Sequence, residues 1–236
     1  MTPIAQFESV WGRCAVLSGL YTYLERNVAG VLQPEELLRA EWVSRVSALD
    51  LYVHEVIAQS MVAIFEGRRP ITPAYSRFQI SNEALDRIRA ASTRTEASAA
   101  FDLYVRTQLS RVTYQFPDDI ADGIRLCSEA ELWNEIALAL GATPSTKNDL
   151  AKNHKRQLSL IVRRRNAIAH EGDLQQTALR DPWPIKQADL TEVSKFIEGV
   201  VRAIDTIICV FSAELRRSEA VTLGDPVMPV PDGLPG

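Results

Sequence analysis

Leu158-Ser-Leu-Ile-Val-Arg-Arg-Arg-Asn-Ala-Ile-Ala-His-Glu-Gly-Asp173 begins as an apolar helix, carries three consecutive arginines and runs into a Glu-Gly-Asp turn. Leu158, Ile161 and Val162 recur at helical spacing, and Arg165 lies three and four residues beyond Val162 and Ile161. Arg165 therefore points towards the face that the apolar residues bury, while Arg163 points away. A guanidinium aimed inward is costly unless something anionic meets it. Gly172 marks the helix end. Arg165 and His170 are five residues apart, which on an ideal helix sets them about 140° out of line. They converge only if the helix loosens near its end, or if the two residues act across two subunits.

Outward from this stretch, the chain reads as helices throughout. A first helix spans about Pro3 to Asn27, with Phe7, Val10, Cys14, Leu17 and Tyr21 in a three-and-four rhythm. A second opens at Gln33-Pro-Glu-Glu36 and runs to about Glu66, an unusual length that leaves a break near Ser44 as an alternative. Residues 68–79, which hold Pro70 and Pro73, read as a loop. Ser81 caps a short helix to Ala91, and Ser92-Thr-Arg-Thr starts another over about Thr95 to Tyr114. Ile120 to Leu126 and Glu129 to Leu140 follow, and Asn148 or Asp149 is expected to cap the helix of the opening stretch. Gly172 to Lys186 is irregular, and Asp189 opens a long last helix, Leu190 to about Arg217.

No stretch alternates as a strand does. The expected architecture is all-α: an antiparallel helical bundle forming one domain over residues 1–218, with 219–236 as a Gly/Pro-rich disordered tail.

Composition limits the function classes. Hydrophobic content of 46% and charged content of 24% are ordinary for a globular protein. The net charge of −4 is not that of a polycation seeking nucleic acid. Yet Lys152, Lys155, Arg156, Arg163, Arg164 and Arg165 follow one another with no acidic residue between them. Phosphate binding depends on such local charge; a solvated helix face is the plainer account of Lys152, Lys155 and Arg156.

Cys14, Cys127 and Cys209 form no metal-ligand pair or disulfide framework, which fits a reducing cytoplasm. The amino terminus lacks the pattern of a signal peptide, and no apolar run approaches the roughly 20 residues of a membrane span. No glycine-rich phosphate loop or Ser-centred nucleophile elbow is present, so neither ATP-driven nor hydride chemistry is supported.

Arg165-Asn166-Ala-Ile-Ala-His170 matches the Arg-x4-His pattern of the HEPN superfamily (higher eukaryotes and prokaryotes nucleotide-binding domains). The longer phrase Ile161-Val-x-Arg-Arg-Asn-x-Ile-Ala-His-Glu-Gly-Asp173 resembles its bacterial RiboL-PSP branch, as does the earlier Leu49-Asp-Leu-Tyr-Val-His-Glu55. The resemblance implies a bundle of four or five helices. This chain is longer, and residues 81–140 are expected as a helical insertion. It also implies a homodimer whose paired motifs form one composite cleft, a metal-independent endoribonuclease needing no cofactor, and a place in toxin–antitoxin or antiviral defence systems. A restraining antitoxin or other defence partner would follow.

By that resemblance His170 serves as base or acid, since imidazole titrates near neutrality. Arg165 holds the phosphate through its forked donors, and Asn166 orients the phosphate or the histidine. Arg164, Glu171, Asp173, His54 and Asp50 are supporting or RNA-binding candidates. Plainer alternatives stand beside each. His170 can be a helix-end dipole partner, and Glu171 and Asp173 can simply begin a turn. Asp50 and His54 can form an ordinary intrahelical pair. His54 and Glu55 with His170 and Glu171 form the one arrangement that suggests metal ligands, though no metal is expected. His154 is expected at the surface.

Overall fold

A computed structural model describes residues 1–28, 33–177 and 180–222. Among these residues lie nine helices and no β-strand. They are α1 (Pro3–Asn27), α2 (Glu35–Phe65), α3 (Pro73–Ser76), α4 (Asn82–Arg89), α5 (Arg94–Leu109), α6 (Pro117–Ile124), α7 (Leu132–Ala139), α8 (Lys147–Glu171) and α9 (Gln187–Thr222). The all-α expectation is met.

Helix α2 is the axis of the bundle. Leu38, Val46, Leu49, Tyr52, Val53, Ile57 and Met61 are all fully buried, as expected of a helix apolar on nearly every side. At 31 residues it is about 46 Å long. The helix runs unbroken through Ser44, whose hydroxyl donates to the Ala40 carbonyl one turn earlier (2.8 Å). Contrary to the sequence reading, this helix is long and apolar enough to cross a membrane, but 61% of its most apolar window is buried inside the protein. That apolarity builds the core.

Named contacts set the directions. Trp42 Nε1 donates to the Ile161 carbonyl and Arg39 reaches Asp173, so α8 runs antiparallel to α2. Ser18 meets Glu41 and Arg45 reaches the Trp11 carbonyl, so α1 is antiparallel as well. Phe101 stacks on Phe65 and Arg106 grips Glu55, which makes α5 antiparallel. Helix α9 joins α2 through Tyr52 and Asp205. Charged groups on α2 thus fix the register of its neighbours: buried Arg45, paired with Glu41 on the same helix, reaches the Trp11 carbonyl of α1, and buried Glu55 is held by Arg106 of α5.

Several boundaries differ from the sequence reading, for local reasons. The expected loop over 68–79 contains α3, because Thr72 accepts from Tyr75 N (3.0 Å) and Pro73 takes the first helical position. Helix α5 stops at Leu109, short of Tyr114, because Tyr114 leaves the helix to seat its backbone N–H on the Asp50 carboxylate (2.6 Å). Gly123 permits the close approach of α6 there, since a Cβ at that position would stand 2.5 Å from both Ile57 and Tyr114. Helix α8 starts at Lys147 rather than after Asn148 or Asp149, and Thr146 makes no side-chain cap.

The helices between 81 and 140 share the common core, through Phe101, Val105, Ile120, Ile124, Trp133 and Ile136. α6 and α7 meet the first half of α8, where Lys155 pairs with Asp118 (2.6 Å) and Ala151 is buried. Lys155 is ten residues, about 15 Å, from Arg165. Helix α9 continues to Thr222, four residues past the expected end of the domain at 218. The rest of the expected tail, 223–236, lies outside the described residues.

Candidate functional site at the end of the motif helix

Helix α8 is regular through Glu171 and ends at Gly172 in the left-handed conformation (φ 69°), which costs glycine nothing. The loosening that would bring Arg165 and His170 together within one chain does not occur. Arg165 lies in line with buried Leu158, Ile161 and Val162 and is half-buried; His170, about 140° around and about 7.5 Å further along, is exposed. Arg163 and Arg156 are also exposed, at seven-residue intervals before His170, so one outward face carries all three.

Arg165 and Asn166 do meet. Arg165 Nη1 donates to Asn166 Oδ1 (3.0 Å), which steers the guanidinium. Its Nε is shielded from solvent and has no hydrogen-bond partner. A buried donor left unmade costs about 1–3 kcal/mol, and Arg164 Nε is unpartnered in the same way. Nothing among the described residues hydrogen-bonds the His170 imidazole, and Glu171 is exposed without a partner.

The turn after the helix is held more firmly than the sequence suggested. Asp173 (φ 56°) follows Gly172 in the left-handed region, and its carboxylate is 1% exposed. Asp173 Oδ2 accepts from Arg39 Nε and Arg164 Nη2, both at 3.2 Å. Arg39 Nη2 also donates to the Trp183 carbonyl (2.7 Å) and Arg164 Nη2 to the Pro184 carbonyl (2.8 Å). The Arg164 guanidinium lies 5.0 Å over the Trp42 ring. Arg164 and Asp173 therefore bind each other and the loop after them, and Asp173 does not touch His170. Asp173 begins a turn, as one sequence alternative had it, and also anchors that turn to α2.

Arg39, Trp42 and Trp183 were not singled out from sequence. The signal available was a cation and an indole three residues apart on the second helix, and an indole between two prolines.

His54 and Asp50 lie elsewhere. Asp50 Oδ1 accepts from Tyr114 N and lies 3.5 Å from His54 Nε2, while Asp50 Oδ2 accepts from Gln115 Nε2 (3.2 Å). The His54 ring meets Tyr114 edge-on at 4.8 Å. Burial, with the Asp50 charge next, pushes the Tyr114 hydroxyl up to about 12. His54 is fifteen residues along α2 from Arg39, about 22 Å, and α8 runs antiparallel beside it. The structure thus separates His54 and Asp50 from the motif. Among the described residues, no three His, Cys, Asp or Glu side chains gather as metal ligands.

His154, expected at the surface, is half-buried against Phe196, because it shares a face with Leu158 and Ile161. Burial lowers its pKa.

The family model RiboL-PSP-HEPN matches residues 13–210, from within α1 to within α9. The chain belongs to the RiboL-PSP-HEPN family. No curated protein and no solved structure gives a match. The match takes in the HEPN motif Arg165 to His170, the Asp173 turn and the α2 residues that hold it.

Proposed function

We propose that this protein is a metal-independent endoribonuclease that cleaves RNA through attack of a ribose 2′-hydroxyl on the adjacent phosphate. The family is associated with nuclease or RNA-related functions. The observation that carries the reading is the Arg165 guanidinium, steered by Asn166 and holding an unpartnered, shielded Nε, five residues before an exposed histidine on the same helix. A forked cation suits the crowded phosphate, and an imidazole suits proton transfer.

In this mechanism His170 removes the 2′-hydroxyl proton or protonates the leaving 5′-oxygen, and Arg165 neutralises the phosphate. The products are a 2′,3′-cyclic phosphate and a 5′-hydroxyl, and DNA resists because it lacks the attacking hydroxyl. Arg165 faces inward and His170 outward on one unbroken helix, which favours a homodimer whose two motifs share a cleft. Such an enzyme fits a cytoplasmic toxin or antiviral effector restrained by a partner protein.

A second reading, a non-catalytic HEPN module that binds RNA, nucleotide or protein, draws on one observation. No described side chain orients the His170 imidazole.

The deciding experiment compares wild type with His170→Ala on defined RNA in EDTA and maps the ends by mass. Cyclic-phosphate ends from wild type alone are expected. RNA bound but left intact by both proteins would establish the second reading.

A further inference from the structure

Trp183 combines a fixed backbone with a free ring. Its N–H donates to the Asp173 carbonyl at 2.7 Å, and its own carbonyl accepts from Arg39 at 2.7 Å. Pro182 and Pro184 flank it, fixing their own φ angles and restricting the residue before each. The next carbonyl, that of Pro184, is held by Arg164. Despite these ties the indole is 51% exposed. Trp42 and Trp133 are buried, and Trp11 packs between Phe7 and Arg45. Core packing accounts for those three rings and does not account for this one.

The location gives the ring a purpose. Trp183 is bonded to the residue three beyond His170, and its loop touches the arginine next to Arg165. The exposed Leu174 side chain lies on the same turn. A flat apolar face held rigidly on the turn that ends the motif helix suits a nucleobase, whose π-face stacks on an aromatic ring.

We infer that Trp183 is a stacking platform for a base flanking the cleaved phosphate, so the RNA recognised here is single-stranded with that base turned out. This rests on the ribonuclease reading of Arg165 and His170. Stacking is tolerant of base identity, so Trp183 contributes affinity and position rather than a strict sequence choice.

The test uses the full chain carrying His170→Ala, so that RNA stays intact. Its affinity is measured for a single-stranded oligoribonucleotide and for the same strand with abasic positions. Adding Trp183→Ala is expected to weaken binding of the base-bearing strand about 5- to 150-fold. Trp183→Phe should retain most of the affinity, and the abasic strand should bind all three proteins alike. Base-bearing RNA should also quench tryptophan fluorescence, and Trp183→Phe should abolish the quenching.

Equal affinity of Trp183→Ala for the base-bearing strand overturns the inference. So does an equal loss on both strands, which marks a structural or electrostatic role. A change in oligomeric state on Trp183→Ala, with RNA affinity unchanged, assigns the ring to a protein contact instead. If the protein carrying His170→Ala alone binds no RNA and wild type cuts none, the ribonuclease reading itself fails.

Discussion

Arg164 and Asp173, nine residues apart in sequence, join the motif helix to its own terminating turn through an Nη2–Oδ2 contact of 3.2 Å. The same carboxylate oxygen receives Arg39 from α2. Asp173→Ala removes the buried anion that two guanidinium groups share, leaving Arg164 without a carboxylate and Arg39 with Glu36 alone. Breaking a buried pair costs about 3–5 kcal/mol, and the lower end applies because Arg164 is partly exposed. Chemical denaturation should show a loss of about 3 kcal/mol, with the wild-type slope retained.

Arg165→Lys preserves the charge and removes the fork that both meets Asn166 and presents Nε. RNA cleavage should fall roughly a hundredfold, the scale of losing one well-placed donor to the developing charge. Thermal stability should change little, because Arg165 holds no other element in place. Measured kcat and melting temperature separate the two effects. A large drop in melting temperature with unchanged kcat would make Arg165 a structural residue.

Sedimentation at micromolar concentration should give twice 26.3 kDa, as a shared cleft requires. A stable monomer that still cleaves RNA would remove the composite-cleft mechanism.

Glu55 supplies an acid-sensitive tie between α2 and α5. Burial acts to raise its pKa, but hydrogen bonds and charge from Arg106 outweigh burial and leave it below the ordinary 4.5. A carboxyl with a depressed folded pKa adds stability above its unfolded value, and that stability is lost as pH falls through the folded value. Stability should therefore decline below about pH 4.5. Glu55→Gln should make that acid limb shallower in urea titrations at several pH values, and an unchanged limb would rule out this tie as its source.

Much of the fold was legible because helical periodicity and caps are local signals. α1 has its expected bounds, and Ser81 caps α4 as its hydroxyl predicts. Where the reading missed, a distant residue had intervened: Asp50 draws Tyr114 out of α5, and Phe196 of α9 packs against His154. The site divides in the same way. Inward Arg165 and outward His170 followed from helical angle alone. Arg39 and Trp183 were invisible because their partner, Asp173, lies 134 residues from one and ten from the other, across a turn whose geometry no pattern encodes. His54 resembled a motif residue by its neighbours in sequence, and the antiparallel packing of α2 on α8 carries it to the far end.

The unbroken course of α8 through Glu171 also bears on dosage. If cleavage needs the arginine of one copy and the histidine of another, the rate in dilute solution grows as the square of protein concentration. A few newly made chains would then be harmless to the cell that makes them. A burst of synthesis would bring on activity abruptly, with no chemical modification required.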